Sequence, residues 1–368
     1  MNYYENELKA LQKSNRYRTR EVVDYTLKDF ASNDYLGLAS KKELHALTCN
    51  LLSTNPVHAP QASLLVNGYH HIHRNFEQRL CEVNGFEDAV VLGSGFNANI
   101  ALIESLVRKG DTLFMDEKFH ASGVLASNLN DMHVEYFKHN DVEELKTLLQ
   151  NSNAKRNIVA VEGIYSMDGD LVPKEIFSIC NKVNALLIVD EAHSSGVVGN
   201  RLMGVFDLYN ITPQPNHIKM GTLGKAYGSF GAYILASAHI VEYLINRAKP
   251  IIYATSLSLY DTLLAHNSLN YILEHQEGLK KQIKERQKIV KEILQVDSSS
   301  LIFPVVIGDN KKTMLLKEKL KNMGYSVGGI RQPTVEKAIL RIIGRIEESA
   351  QTFELLCKTI KELMDENL

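Results

Sequence analysis

The stretch "LLIVDEAH", residues 186–193, runs through four apolar residues and stops on two carboxylates and a histidine. Four apolar residues in a row without alternation fit a strand covered by helices on both faces. A carboxylate at the carboxyl end of such a strand stands where open α/β sheets bind their ligands. Outward from it, between about residues 87 and 237, short β-branched runs alternate with helical patterns: "AVVLG", "ANIALIESLVRKG", "TLFMD", "VEYF", "VEELKTLLQ", "NIVAVEG", "KEIFSICNKV" and "GAYILAS". That alternation predicts an α/β fold with a mainly parallel central sheet and helices on both faces. After about residue 256 a long helical stretch, then "LIFPVVIGD", "YSVGGI" and "AILRIIG", predict a smaller C-terminal α+β domain. The expected division is an N-terminal arm over 1–40, a large α/β domain over 41–255 and a small domain over 256–368.

The 368 residues carry 45% hydrophobic and 23% charged side chains and a formal charge of -2. This is globular composition with no electrostatic reason to bind nucleic acid or an anionic membrane. Lys280, Lys281, Lys284, Lys288 and Lys291 read as a solvated helix face, because Glu285 and Glu292 interrupt them and no aromatic residue does. Four scattered cysteines form no CxxC pair, so neither a disulfide framework nor a metal site is expected, and the thiols read as core residues. The first twenty residues have no apolar signal-peptide core, and the expected location is cytoplasmic.

Three motifs carry chemistry. "VVLGSGFNAN" places Gly93, Gly95 and Ala98 in a GxGxxA pattern between a predicted strand and a predicted helix, whose first amides favour a phosphate. Asp116 closes the next strand, so an NAD-linked dehydrogenase is a rival reading, and a plain tight turn is another. "DEAH" is spelled like the acidic strand of an NTPase, but no GxxxxGK[ST] loop exists upstream. "GTLGKAYG", residues 221–228, has the wrong glycine spacing for that loop and has Ala226 where a hydroxyl is needed. Its Lys225, set among Gly221, Gly224 and Gly228, is either an ordinary exposed lysine or an amine that meets a flat ligand.

One cofactor requires all three parts. Pyridoxal 5'-phosphate needs an amine for a Schiff base, a carboxylate to keep its ring nitrogen protonated, and a helix terminus for its phosphate. Lys225, Asp190 and the amides of Gly95 and Phe96 are the candidates.

In order along the chain, "SNDYLGL" (32–38), "NGYHHIHRNFE" (67–77), "GSGFNAN" (93–99), "FHAS" (119–122), "EGIYSMDGD" (162–170), "VDEAHSSGVVG" (189–199), "GTLGKAYG" and "GIRQPTV" (329–335) resemble the α-oxoamine synthases, pyridoxal-phosphate enzymes of the fold type I aminotransferase class. The resemblance implies that Lys225 forms the imine and Asp190 meets the ring nitrogen. It also implies that His193 and Ser166 bond the phenolic oxygen, that His120 stacks on the ring, and that Thr222 assists Gly95 and Phe96 at the phosphate. Thr255 resembles the residue that reaches the phosphate of the neighbouring subunit, which implies a homodimer. Asn33 and Arg341 would meet the amino-acid carboxylate, for which an arginine fork is well shaped. The implied reaction joins a small amino acid to an acyl thioester of coenzyme A or acyl carrier protein, with loss of carbon dioxide. "IRQPTV" is most similar to the branch that uses L-alanine and a pimeloyl thioester in biotin synthesis, and glycine with an acetyl donor is the alternative. Leu64 and Asn67 depart from the family's usual arginine and serine, Glu191 from its usual aspartate, and "LRIIGR" from its usual polar strand. One of Arg16, Arg18 and Arg20 is expected near the acyl chain.

Overall fold

The computed structural model describes residues 3–14, 16–129 and 131–366; the outermost residues of the expected arm and small domain, 1–2 and 367–368, lie outside these. Among the described residues there are eleven strands: β1 (Lys28–Phe30), β2 (Asp88–Leu92), β3 (Thr112–Asp116), β4 (His133–Phe137), β5 (Asn157–Glu162), β6 (Leu186–Asp190), β7 (His217–Thr222), β8 (Ala232–Ala236), β9 (Ile302–Gly308), β10 (Tyr325–Ile330) and β11 (Ala338–Ile343). Seven form one sheet in the order β2-β8-β7-β6-β5-β3-β4, and four form another in the order β1-β10-β11-β9.

The large sheet is parallel except for β8, which runs antiparallel to both β2 and β7. One apolar cluster, with Phe114, Val159, Leu187 and Tyr233, packs one face of this sheet, and a second, with Leu113, Ile158, Ile188 and Ile234, packs the other. Successive residues of one strand therefore enter different cores, which is why "LLIV" shows no alternation. The strand order differs from the 3-2-1-4-5-6 order of a dinucleotide-binding sheet.

The helix Leu259–Leu294 is 36 residues long, roughly 54 Å at 1.5 Å per residue. Its buried positions Thr262, Ala265, Leu269, Ile272, Leu279, Ile283, Arg286 and Val290 recur every three to seven residues along one stripe. Leu264 to Ile283 join a core of the large sheet, whereas Val290 joins the core of the small one. The expected boundary at residues 255/256 thus falls just ahead of a helix that serves both cores. β1, from the N-terminal segment, pairs in parallel with β10 of the small sheet. Lys281, Lys284, Lys288 and Lys291 are exposed on this helix, and Lys288 and Lys291 meet Glu292 and Asp297. Cys180 and Cys357 are buried as expected for core thiols, but Cys49 is exposed on the helix Lys42–Ser53.

Candidate active site

β2, β3, β5, β6 and β7 end at one edge of the large sheet, since Glu162 is in register with Asp190, Asp190 with Met220, and both Leu92 and Thr222 with Ala232. The segments leaving that edge carry most of the expected site residues. Asp190, the last residue of β6, is buried. Its Oδ1 accepts from the Ala192 amide at 2.9 Å and its Oδ2 from Asn99 Nδ2 at 2.8 Å. Both of these hydrogen bonds reach the carboxylate from donors.

Lys225 follows β7 in a turn closed by hydrogen bonds from the Gly228 amide to the Lys225 carbonyl and from the Ser229 amide to the Leu223 carbonyl. Gly228 has a positive φ of 58°, and a Cβ there would come within 2.3 Å of the Ala39 amide, so only glycine lets the 32–38 loop abut this turn. Lys225 Nζ lies 2.8 Å from His193 Nε2. Burial lowers the Lys225 pKa to about 8; Asp190 and Glu162 pull it up and Arg341 pushes it down. Burial, helped by the Lys225, Arg341 and His120 charges, holds His193 well below its ordinary value, so its ring is neutral.

Arg341 points from β11 across to this edge. Its Nη1 donates to Asn33 Oδ1 at 3.1 Å, and its Nε donates to the backbone carbonyl of Ser166 at 2.7 Å. The "GR" that follows is a latch: Arg345 meets Asp29 at 2.8 Å and Asp34 at 3.0 Å, and Glu347 as well. These ion pairs fix the loop that carries Asn33.

At the far side, the helix Gly95–Leu106 begins beside Thr222: a Cβ built on Gly95 would sit 3.7 Å from Thr222 Cβ. Ser94 caps it by accepting from the Asn97 amide, and the Ala98 amide donates to the Ser94 carbonyl. The amides of Gly95 and Phe96 are the first-turn donors left to face a ligand. The Thr222 hydroxyl donates to the Gly231 carbonyl at 3.1 Å. His120 is open to solvent at the rim, with Nδ1 2.7 Å from Ser122 Oγ, and burial of its inner side lowers its pKa. Thr255 is exposed and bridges to Ser63, at the surface. Arg16, Arg18 and Arg20 are exposed too.

Sequence reasoning did not single out Tyr35, Asn99, Ser122 or Glu162. Tyr35 is fully buried with its hydroxyl 2.5 Å from His193 Nδ1. Asn99 bonds both Asp190 and Ser122. Glu162 is buried beside Asp190, and burial followed by the Asp190 charge pushes its carboxyl well above the carboxylate range. Asp116 is fully engaged: its carboxylate accepts from the Lys118 and Asn140 amides and faces His139 at 3.1 Å. It is not free to hold a ribose, which removes the support for a dinucleotide.

The donor set fits pyridoxal 5'-phosphate. A buried amine with a lowered pKa, a buried carboxylate that accepts from two donors, and two first-turn amides at a capped helix start answer its aldehyde, its ring nitrogen and its phosphate. Asn99 Oδ1 is buried without a partner, so this side chain is oriented by the need to give its hydrogens to Asp190 and Ser122.

The chain belongs to the aminotransferase class I and II family, whose model matches residues 26–359, and within it to the α-oxoamine synthase branch of the fold type I pyridoxal-phosphate enzymes. It is 41% identical over 359 residues to the 8-amino-7-oxononanoate synthase of Helicobacter pylori (strain ATCC 700392 / 26695), an alignment that covers 97% of this chain and 96% of that one. Among solved structures, the serine palmitoyltransferase of Sphingomonas wittichii superposes with a TM-score of 0.89 at 24% identity, covering 99% and 97% of the two chains. The 8-amino-7-oxononanoate synthase of Francisella tularensis gives 0.75 at 24% identity, covering 93% and 99%. At those identities the superpositions speak for the fold. Among the described residues no helix is long and apolar enough to cross a membrane.

Proposed function

We propose that the protein condenses L-alanine with a pimeloyl thioester, releasing carbon dioxide and the free thiol and forming 8-amino-7-oxononanoate. The observation that carries this reading is the convergence of Lys225, Asp190 and Arg341 on one sheet edge in a chain 41% identical to a synthase of that name. When bound, pyridoxal 5'-phosphate supplies an electron sink for the carbanion formed at the amino-acid Cα. Lys225 would hold the cofactor's aldehyde carbon and Asp190 its ring nitrogen. Gly95 and Phe96, with Thr222, would hold the phosphate, His193 and Ser166 the phenolic oxygen, and His120 one ring face. Arg341 and Asn33 would hold the amino-acid carboxylate. The Lys225 amine would be the base for the Cα proton, and its lowered pKa leaves a useful fraction neutral near pH 7 to 8. We assign Thr255 to the neighbouring subunit's phosphate, hence a homodimer, and place the protein in the cytoplasm.

Substrate choice tests the reading. A pocket separates alanine from glycine by only about 1 to 3 kcal/mol, whereas a pimeloyl chain buries several more methylenes than acetyl, at roughly 0.8 kcal/mol each. L-alanine with pimeloyl-coenzyme A or its carrier-protein thioester is expected to exceed glycine with acetyl-coenzyme A by orders of magnitude in kcat/KM. Efficient thiol release with the acetyl pair and little with the pimeloyl donor would overturn the substrate assignment and leave that of Lys225 intact.

A further inference from the structure

Tyr35 sits in the middle of a buried chain of hydrogen-bonding groups that ends on Lys225. Its hydroxyl is 2.5 Å from His193 Nδ1, and His193 Nε2 is 2.8 Å from Lys225 Nζ. On its other side Asn33 Oδ1 is 3.5 Å away, and that oxygen already accepts from Arg341 Nη1 at 3.1 Å. Burial raises the pKa of this phenol, so it keeps its proton.

The directions of these bonds follow from what each group can do. The Tyr35 hydroxyl has a single proton to give, and two groups stand within reach to accept it. The acceptor 2.5 Å away is His193 Nδ1; the alternative, Asn33 Oδ1, is at the limit of a hydrogen bond. A neutral imidazole that accepts at Nδ1 carries its hydrogen on Nε2. That Nε2–H faces Lys225 Nζ, and the contact is satisfied when the amine offers a lone pair. A lysine ammonium would instead set two hydrogens against each other, unless the imidazole changed tautomer and Tyr35 gave up its short bond.

We propose that Tyr35 is a positioning residue that fixes His193 in its Nε2–H form and thereby holds the Lys225 amine in its neutral, reactive form. The same tautomer is the one His193 needs to donate to an anionic oxygen, the role given to it above. The other charged or titratable groups facing this chain are Asp190, Glu162, His120 and Arg341. Asp190 favours the ammonium and Arg341 opposes it. A substrate carboxylate on Arg341 would offset that opposition, so that the amine gains proton affinity when the Cα proton is to be removed.

The inference rests on Lys225 being the reactive amine, which product assays test; the following experiment uses the full chain freed of cofactor and reads the relay alone. Lys225 acylation by an amine-directed reagent, quantified by peptide mass spectrometry across pH, is expected to have its midpoint near 8 in the native chain. In Tyr35→Phe the His193 tautomer is released to accept from an ammonium, and the midpoint is expected to rise by about one pH unit, a tenfold loss of neutral amine below it. An unchanged or lowered midpoint in Tyr35→Phe overturns the proposal. Nitrogen chemical shifts of His193 in the unsubstituted protein give a second readout that no folding defect can obscure. The Nε2–H form supports the relay, and the Nδ1–H form overturns it.

Discussion

Asn99 Nδ2 lies 2.8 Å from Asp190 Oδ2, across 91 residues of sequence. Asn99 belongs to the same helix whose first amides are proposed to hold the phosphate, so one rigid element bears on both that proposed cradle and the carboxylate of Asp190. The second Asn99 hydrogen goes to Ser122 Oγ, which in turn meets His120. Asn99→Ala removes a hydrogen bond to a charged group, about 1.5 to 3 kcal/mol. Cofactor affinity, followed by fluorescence titration, is expected to fall roughly ten- to hundredfold. Native affinity in Asn99→Ala would show that Asp190 needs no such support.

Asp190→Asn keeps the size of the side chain and loses its charge. The variant is expected to fold and to lose at least about a hundredfold in turnover, read as thiol release, because nothing then holds the ring nitrogen protonated. Near-normal turnover would place the required carboxylate elsewhere.

Thr255 is exposed and joined to Ser63, with no bond to the site residues of its own chain among the described contacts. If it serves the neighbouring subunit, mixing inactive Lys225→Ala with an inactive Thr255→Ala chain should restore part of the activity through one intact hybrid site. Sedimentation is expected to give a dimer, and a fully active monomer would contradict the assignment.

His139 lies between Asp116, at 3.1 Å, and Asp170, at 2.8 Å, and the two carboxylates raise its pKa to about 9 against the cost of burial. A histidine raised in the folded state contributes its full stabilisation below its ordinary value near 6.5 and loses it as pH climbs through about 9. His139→Gln is therefore expected to cost about 1 to 2 kcal/mol at pH 6 by urea denaturation, with the deficit closing by about pH 10. A deficit that stays constant with pH would mean that the ring contributes by packing against Tyr165 alone.

Lys219 and Glu191 are both fully buried, 3.8 Å apart, behind the strand ends that carry the site. Glu191 also accepts from the Val205 amide at 2.8 Å and from the Ser194 hydroxyl. Lys219→Met leaves that carboxylate without its cation, and a loss of about 3 to 5 kcal/mol is expected. A Tm unchanged in calorimetry would show that the backbone and hydroxyl donors suffice.

Much of the fold was legible because "LLIVD", "TLFMD" and "NIVAVE" are apolar runs of strand length between helical patterns. The reversed direction of β8 was not, since "AYILA" looks the same whichever way the strand runs, and the direction shows only in the antiparallel pairing of Ala232 with both Leu92 and Thr222. Lys225 and Asp190 stood out because each is a charge in an apolar or glycine-rich setting. Tyr35 did not: a tyrosine next to leucines reads as core, and the histidine that gives its hydroxyl a task is 158 residues away. Glu162 was hidden for a similar reason, as its protonation depends on Asp190 of a neighbouring strand. The departure at "LRIIGR" made sense only in three dimensions, where Arg345 ties down Asp29 and Asp34.

That latch has a consequence for the order in which a ribosome could deliver a working enzyme. Arg345 and Asp34 are 311 residues apart, and β1 must wait for β10. At about 5 to 20 residues per second, roughly 15 to 60 s separate the synthesis of Asp34 from that of its partner. In about the last third of that interval, once β8 has been made, all strands of the large sheet exist with Lys225 and Asp190 among them, while the loop bearing Asn33 and Tyr35 still lacks Arg345. A nascent chain halted before residue 341 would present Lys225 and Asp190 and lack Arg341, the residue proposed to grip the amino acid.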